Sequence, residues 1–238
     1  MKTKLLSLFI LLMSMVYIFF IPSEPFLVKI LFKLIPMWLI IYFAFVQKTE
    51  DTQNNKKIIL VGLFFCMLGD GLLHWFIIGL SFFLIGHIIY IFGFLKQWNF
   101  SKLRCLSILP LLAFSFTIGQ KLVNTLQQSG QDGLVIPVIF YIVAISTMAW
   151  AAFMTGNLYA IIGSLLFVIS DSILSWNMFI SNVPYSHILI MTTYYAAQYC
   201  IASSIKNTSI HTTSNKYTFL WYVYHKIKQI PIGICFIL

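Results

Sequence analysis

The sequence GLFFCMLGDGLLHW, from Gly62 to Trp75, places a single carboxylate, Asp70, inside a long apolar segment. A second copy, GSLLFVISDSILSW, runs from Gly163 to Trp176 and contains Asp171. In both copies the Asp follows the first Gly by eight residues, and a Leu and a Trp follow the Asp by three and five residues. The chain holds six Asp and Glu residues, so two at equivalent points of two apolar segments indicate a functional site.

The composition excludes a soluble domain. Of the 238 residues, 60% are hydrophobic and 9% are charged, which leaves too little polar surface to face water. The sequence therefore predicts an all-α, polytopic membrane bundle. The net charge of +9 does not indicate a nucleic-acid partner, because the basic residues are scattered through the loops. Anionic lipid headgroups are the expected counterpart.

Apolar segments long enough to cross a bilayer, which needs about 20 residues per helix, divide the chain into about eight transmembrane helices. Together they form one domain over residues 1–205, followed by a cytosolic tail over 206–238. The predicted spans are Leu5 to Ile21, Phe26 to Val46, Ile58 to Trp75, Gly79 to Leu95, Leu103 to Gly119, Leu134 to Met154, Leu158 to Phe179 and Tyr185 to Ile205.

The charge distribution and the motif spacing predict how the spans are arranged. Twelve of the fifteen Lys and Arg residues fall on one side, which puts both termini in the cytosol. The two motifs lie 101 residues apart, and the same offset carries Pro36 onto Pro137. Because four spans separate the copies, the sequence predicts a parallel four-plus-four repeat related by an axis along the membrane normal.

Polar side chains on five different spans are predicted to share one depth, 5 to 9 residues from the extracytoplasmic end. They are Lys33, Asp70, His87, Asp171 and Tyr194. An unpaired Asp or Lys at a helix centre costs about 2.5–3.5 kcal/mol, so these groups are expected to pair or to line a polar cavity. One Lys neutralises one carboxylate, which predicts one ionised and one protonated Asp.

Purely structural interpretations compete with a functional one. A buried Asp can hydrogen-bond between helices, and Lys33 can extend its ammonium group to the interface. The remaining candidates can serve interhelical packing alone: His87, Tyr90, Tyr194, Tyr195 and Gln198.

Six of the eight predicted spans carry a characteristic ordered set of residues. The set comprises Lys33 with Pro36, Gly69 with Asp70, His87 with Tyr90, Tyr141 with Met148, Ser170 with Asp171, and TYYAAQ from Thr193 to Gln198. In this set the chain resembles the YhhN family of lysoplasmalogenases over about Leu5 to Ile205. In some bacterial members the Lys is followed directly by Pro, whereas here two residues intervene.

The resemblance implies an eight-span hydrolase that cleaves the vinyl ether bond of lysoplasmalogens. Its products are a fatty aldehyde and glycerophosphoethanolamine or glycerophosphocholine, and Asp70 and Asp171 match the family's catalytic carboxylates. The implied partners are a lysophospholipid substrate and membrane lipids, and no protein partner is inferred. The implied location is the endoplasmic reticulum or another endomembrane in a eukaryote, or the inner membrane in a bacterium.

Vinyl ether hydrolysis begins with protonation of the carbon remote from oxygen, a task for a carboxylic acid kept neutral by apolar surroundings. Which Asp supplies the proton stays open. Lys33 would hold the phosphate or fix the ionised Asp, while His87 and Tyr195 would orient water or the glycerol backbone. No metal or other cofactor is required by this scheme.

Three alternatives remain from the sequence. The first is a metal-dependent intramembrane hydrolase, with His87, Asp70 and Asp171 as ligands. The second is a small transporter or proton-coupled carrier that uses the Asp pair as a relay. The third is a receptor or scaffold, which would not explain why charged side chains are placed inside the membrane at a cost in free energy.

The tail after Lys206 has apolar pieces too short to span, with aromatic and basic residues that are typical of an interfacial segment. Its last four residues, beginning at Cys235, also fit a prenylation box.

Overall fold

The computed structural model describes residues 2–22, 24–48 and 53–206, and within these ranges the chain forms helices and no strands. The prediction of an all-α membrane bundle is confirmed. In chain order the helices are α1 (Lys2–Phe20), α2 (Phe26–Val46), α3 (Gln53–Leu72), α4 (Phe76–Leu95), the short α5 (Lys102–Cys105), α6 (Ile108–Gln128), α7 (Val135–Thr155), α8 (Leu158–Phe179) and α9 (Ser186–Ser203). A 3₁₀ turn, Asp132–Leu134, precedes α7.

Six segments of the described chain are long and apolar enough to cross a membrane. They are Thr3–Phe20, Phe26–Val46, Phe76–Leu95, Lys102–Gln128, Asp132–Thr155 and Leu158–Phe179. The two remaining long helices, α3 and α9, are more polar. Helix α3 begins with Gln, Asn and Lys, and α9 carries Ser, Thr, Tyr and Gln side chains. Helix α3 carries Asp70, and helix α9 carries Tyr194.

Two of the predicted spans, Phe26 to Val46 and Leu158 to Phe179, match their helices residue for residue. The fifth predicted span, Leu103 to Gly119, ends nine residues too early, because the candidate membrane-spanning segment runs from Lys102 to Gln128. Its second half is amphipathic, so hydropathy alone ends the span too early. Leu122 and Leu126 nevertheless remain buried there against Val138 on α7.

The two halves of the chain pack in corresponding ways. Helix α3 pairs with α4 as α8 pairs with α9, and the halves meet where α4 packs on α7 and where α9 packs on α2. This is the arrangement that the four-plus-four repeat predicts. Helix α2 continues through Pro36, whereas Pro137 lies in the first turn of α7, where proline is tolerated.

The first glycine of each motif lies at a close helix contact. Gly62 faces the ring of Tyr90, and a Cβ at Gly163 would lie 2.9 Å from the carbonyl oxygen of Ala197. At the α3–α4 turn, a Cβ at Gly79 would lie 2.7 Å from the Cα of Leu73. Small residues allow helix backbones to approach closely in membranes, so the two hairpins are the tightly packed units of the fold.

The junction of α7 and α8 fixes the start of the second motif's helix. Gly156 ends α7 in the left-handed conformation, with φ 67°. Asn157 then caps α8 by accepting hydrogen bonds from the backbone of Tyr159 and Ala160. Its side-chain amide also donates to the carbonyl oxygen of Ser204 at 2.9 Å, which ties α8 to the end of α9. Residues 207–238, including the predicted interfacial segment and the Cys235 box, lie outside the described residues.

Candidate active site

A cavity of about 490 Å³ lies between the two halves of the bundle, and the side chains of Lys33, Asp70, Asp171 and Tyr194 line it. Equivalent positions of the two sequence motifs line it. The pairs are Asp70 with Asp171, Leu73 with Leu174, and His74 with Ser175. The repeat therefore places its two carboxylates in one shared space, in mostly apolar surroundings.

Asp70 has partners at both of its carboxylate oxygens. Lys33 Nζ lies 3.1 Å from Oδ1, and the Tyr194 hydroxyl donates to Oδ2 at 2.6 Å. The same ammonium group donates to the backbone carbonyl oxygen of Asp70 at 3.2 Å. With 3% of its side chain exposed, Asp70 is held as a buried ion pair. Breaking such a pair leaves an uncompensated charge, so the arrangement favours ionised Asp70.

A chain of buried hydrogen bonds holds the Tyr194 hydroxyl in position. Tyr90 on α4 donates to the Gln198 side-chain oxygen at 2.8 Å, and the Gln198 amide donates to the Tyr194 hydroxyl at 3.2 Å. All three side chains are buried, and they connect α4, α9 and the Asp70 carboxylate. This network fixes the donor that faces Asp70.

Asp171 is held differently. The Tyr141 hydroxyl donates to its Oδ2 atom in a short hydrogen bond, and His87 Nε2 lies 3.0 Å from that hydroxyl and 3.8 Å from Oδ2. Within the described residues, no hydrogen bond or ion pair reaches the other oxygen, Oδ1. Asp171 thus keeps one oxygen available, at the wall of the cavity.

Phe167 separates the two carboxylate environments. Its fully buried ring packs edge-on against His87, with centroids 4.6 Å apart, and against Tyr194 at 5.4 Å. Because the ring has no polar atom, it carries no hydrogen bond between the Asp171 network and the Asp70 network.

Four of the eight residues predicted from the sequence line the cavity: Lys33, Asp70, Asp171 and Tyr194. The other four lie behind its wall: His87, Tyr90, Tyr195 and Gln198. The hydroxyl of Tyr195 donates to the backbone carbonyl oxygen of Lys33 at 2.7 Å, so this side chain holds α2 in place.

Sequence reasoning missed several polar residues of the cavity wall, among them Lys29, Tyr141, Ser175 and His187. Two of these four had a signal in the sequence. Lys29 precedes Lys33 by four residues, which puts both cations on one helix face, and Ser175 follows Asp171 at the same spacing. Tyr141 belongs to the ordered set of the resemblance, but its contact with Asp171 depends on how α7 packs on α8. His187 gave no signal, since it lies near the start of its helix.

Charged and aromatic groups surround one part of the cavity. Lys29, Lys33 and His187 line this part, and the His187 ring packs against Tyr17 with centroids 5.4 Å apart. Glu24 also lines this region. Cations here can hold an anionic group of a ligand.

Within residues 2–22, 24–48 and 53–206, the cavity included, no three His, Cys, Asp or Glu side chains converge closely enough to hold a metal ion. The cavity brings together one carboxylate paired with a cation, Asp70, and one carboxyl group with an oxygen free of hydrogen bonds, Asp171. This combination suits proton transfer next to a developing positive charge.

Comparison with known proteins identifies similar chains. The mouse protein Lysoplasmalogenase TMEM86B is 30% identical over 214 residues, which cover 87% of this chain and 89% of the mouse protein. The human protein of the same name is 32% identical over 189 residues, 77% of each chain. The bovine protein Lysoplasmalogenase TMEM86A is 30% identical over 207 residues, covering 79% of this chain and 82% of its own length.

No solved structure matches the chain. The model of the YhhN family matches residues 28–205, a range that includes all the carboxylate partners described above. The chain belongs to the YhhN family.

Proposed function

We propose that this chain is a lysoplasmalogenase, an intramembrane hydrolase that cleaves the vinyl ether bond of lysoplasmalogens. The products are a fatty aldehyde and glycerophosphoethanolamine or glycerophosphocholine. Relatives named lysoplasmalogenases, similar over most of the chain, support the reaction class. The observation that carries the mechanism is the asymmetry of the two carboxyl groups: Asp70 is bound at both oxygens, and Asp171 at one.

Asp171 is the general acid in this proposal. Its Oδ1 atom carries the proton while Oδ2 accepts the hydrogen bond from Tyr141, so the acidic oxygen is free to face the substrate. Protonation of the vinyl carbon remote from oxygen breaks the carbon–carbon π bond and leaves an oxocarbenium ion. General acids of this kind accelerate reactions by about 10²–10⁴.

Asp70 stabilises the positive charge that then develops on the ether carbon and oxygen. Lys33 keeps it ionised before the substrate is protonated, and Tyr194 fixes its direction. Because the surroundings are apolar, this preorganised anion acts with little screening by water.

Water then adds to the oxocarbenium carbon, and its proton returns to Asp171. The resulting hemiacetal collapses, the bond between its carbon and the glycerol oxygen breaks, and that oxygen takes up a proton. One water is consumed, and one aldehyde and one alcohol are formed, with the enzyme's protons restored.

The phosphate of the substrate lies at Lys29 and His187 in this scheme. Both side chains line the cavity, and Lys33 is already committed to Asp70. With an ammonium group so close to the carboxylate, the alternative role of Lys33 as the phosphate ligand is less favourable. The apolar lining and the volume of about 490 Å³ suit a lipid ligand.

The proposal also includes the membrane in which the chain lies and the side on which its termini lie. The distribution of Lys and Arg favours cytosolic termini, and the family favours an endomembrane such as the endoplasmic reticulum in a eukaryote. Residues 1–205 form the catalytic domain, and the tail lies at the cytosolic face.

The decisive experiment is incubation of purified protein with a lysoplasmenyl lipid and with its saturated alkyl-ether analogue. We expect aldehyde release from the vinyl ether alone, and a release slowed by about 10²–10⁴ with Asp171→Asn. Equal cleavage of both ethers, or release of aldehyde by Asp171→Asn at the wild-type rate, would overturn the proposal.

A further inference from the structure

Asp171 borders a second, smaller cavity. This cavity, of about 40 Å³, lies between α6, α7 and α8. Asp171, Tyr141, Ile142 and Ser175 line both cavities, so these side chains form the partition between them. The acidic group of the proposed mechanism is thus accessible from two directions.

Four serines, Ser115, Ser146, Ser172 and Ser175, lie in the otherwise largely apolar wall of the small cavity. Ser146 donates to the Ile142 carbonyl oxygen at 2.6 Å, so Ser115, whose hydroxyl lies 2.7 Å from that of Ser146, is the donor between the two. Ser172 donates to the carbonyl oxygen of Val168 at 2.7 Å. Each of these oxygens still has a lone pair for an incoming donor.

Ser175 is the exception among the four serines. It makes no hydrogen bond within the part of the chain that the structure describes, although it lies one helical turn after Asp171. Its hydroxyl can therefore both donate and accept at the partition.

The size and lining of this cavity suit water. About 10–15 Å³ of probe-occupied space holds one water, which needs two to four polar partners. A cavity of about 40 Å³ next to Asp171 and the serine hydroxyls meets both requirements. A lipid chain is too large for it, so the small cavity stays available when the large one is filled.

We propose that the small cavity is the site of the hydrolytic water, which passes Ser175 to reach the substrate beside Asp171. This inference rests on the proposed function. Once Asp171 has given its proton to the vinyl carbon, its carboxylate accepts a proton from this water as the water oxygen bonds to the oxocarbenium carbon. Ser175 and Tyr141 are then positioning residues, since they act through the water and through Asp171.

Variants that fill the small cavity test this inference. Ser146→Val and Ser172→Val replace a hydroxyl by methyl groups at positions that line the small cavity and not the large one. We expect each to lower kcat about tenfold with little change in KM, because the lipid occupies the other cavity. Thr147→Val is the matched control. Its side chain is exposed and follows Ser146 on α7, so kcat should stay at the wild-type value. Ser115→Val, also at a position outside the large cavity, provides a third site if one variant fails to fold.

Deuterium exchange separates a lack of water from general damage. In D₂O the vinyl carbon receives a deuteron from Asp171, and an oxocarbenium ion that is not captured by water can lose its original proton instead. With a variant whose small cavity is filled, the recovered substrate should then carry deuterium at that carbon. The amount per turnover should be about tenfold higher than with the wild-type enzyme. A structural defect that slows protonation lowers kcat without this enrichment.

The outcomes are distinct. Reduced kcat with deuterium enrichment supports the water site, whereas unchanged kcat, or reduced kcat without enrichment, overturns it. If the wild-type protein releases no aldehyde from the vinyl ether, the proposed function itself fails, and the water site fails with it. If the wild-type protein turns over normally and the variants with a filled small cavity have the same kcat, only the water site is refuted.

Discussion

The ammonium group of Lys33 lies between the side chain and the backbone of a single residue, 3.1 Å from Asp70 Oδ1 and 3.2 Å from the Asp70 carbonyl oxygen. Lys33→Met removes this cation and leaves the buried carboxylate unpaired. We expect the free energy of unfolding to fall by about 3–5 kcal/mol, measured by denaturant unfolding in detergent. The double variant Lys33→Met with Asp70→Asn should recover part of that loss, because it removes both charges.

Lys57→Met is the control for this experiment. Lys57 is exposed near the start of α3, so its replacement should change stability by less than about 0.5 kcal/mol. Equal stability of the wild-type and Lys33→Met proteins would show that Lys33 does not compensate a buried charge.

Asp171→Asn removes the free acidic oxygen while keeping the size of the side chain. We expect kcat to fall by about 10²–10⁴, with binding of the saturated ether analogue unchanged. Asp132→Asn, in the exposed turn before α7, is the matched control and should keep full activity. The assignment of the acid would be wrong if Asp171→Asn were active and Asp70→Asn alone were inactive.

Tyr141→Phe removes the hydrogen bond to Asp171 Oδ2 and the partner of His87. The acid then loses its fixed orientation, so we expect kcat to fall about tenfold with KM nearly unchanged. The comparison is Tyr199→Phe, whose hydroxyl lies 2.8 Å from that of Ser7. Its ring stacks on Phe43, and Tyr199 is absent from the residues that line the cavity, so kcat should be unaffected. Equal losses in both variants would indicate a general effect of removing a tyrosine hydroxyl.

Lys29→Gln tests the proposed phosphate site. Loss of a charge-assisted contact with the headgroup should raise KM about tenfold while kcat stays constant, as measured with lysoplasmenyl substrate. Lys48→Gln, an exposed position after α2, is the control. A fall in kcat without a change in KM would place Lys29 in the chemical step instead.

The glycine contacts predict opposite effects of one substitution at two helical positions. Gly119→Ala should be neutral or stabilise by up to about 1 kcal/mol, because alanine favours helix and the nearest atom is a side-chain carbon of Ile142 at 3.5 Å. Gly79→Ala should destabilise, since its new Cβ would press on the backbone of Leu73. Thermal unfolding in detergent measures both, and equal stability of the two variants would contradict a close contact at Gly79.

The sequence predicts those parts of the site that rest on local pattern. Asp70 and Asp171 stand out because carboxylates are rare in apolar segments, and Lys33 follows from charge balance. The difference between the two carboxyl groups is invisible in the repeat, since it arises from non-equivalent neighbours. Lys33 and Tyr194 reach Asp70, whereas Tyr141 from α7 reaches Asp171. Contacts between helices that are distant in the sequence decide which carboxyl oxygen is free. Such contacts cannot be inferred from the spacing of residues along the chain.

The same limit applies to the fold. Hydropathy places α2 and α8 to the residue, because both helices begin and end on apolar residues. It fails at α6, whose second half is polar on one side and is kept helical by packing of Leu122 and Leu126 near Val138. In the second half of α6, packing against other helices therefore determines the structure more than the hydropathy of the segment does.

The glycine contacts of the two hairpins also bear on protein engineering. Gly62 leaves room for the ring of Tyr90, and Gly163 for the backbone of Ala197, so both set the separation of paired helices at positions that do not line the cavity. Side chains of the cavity wall can therefore be exchanged to admit other ether lipids without moving the helices that carry the carboxylates. A library that randomises Leu73 and Leu174 while conserving the glycines would separate substrate range from catalytic competence.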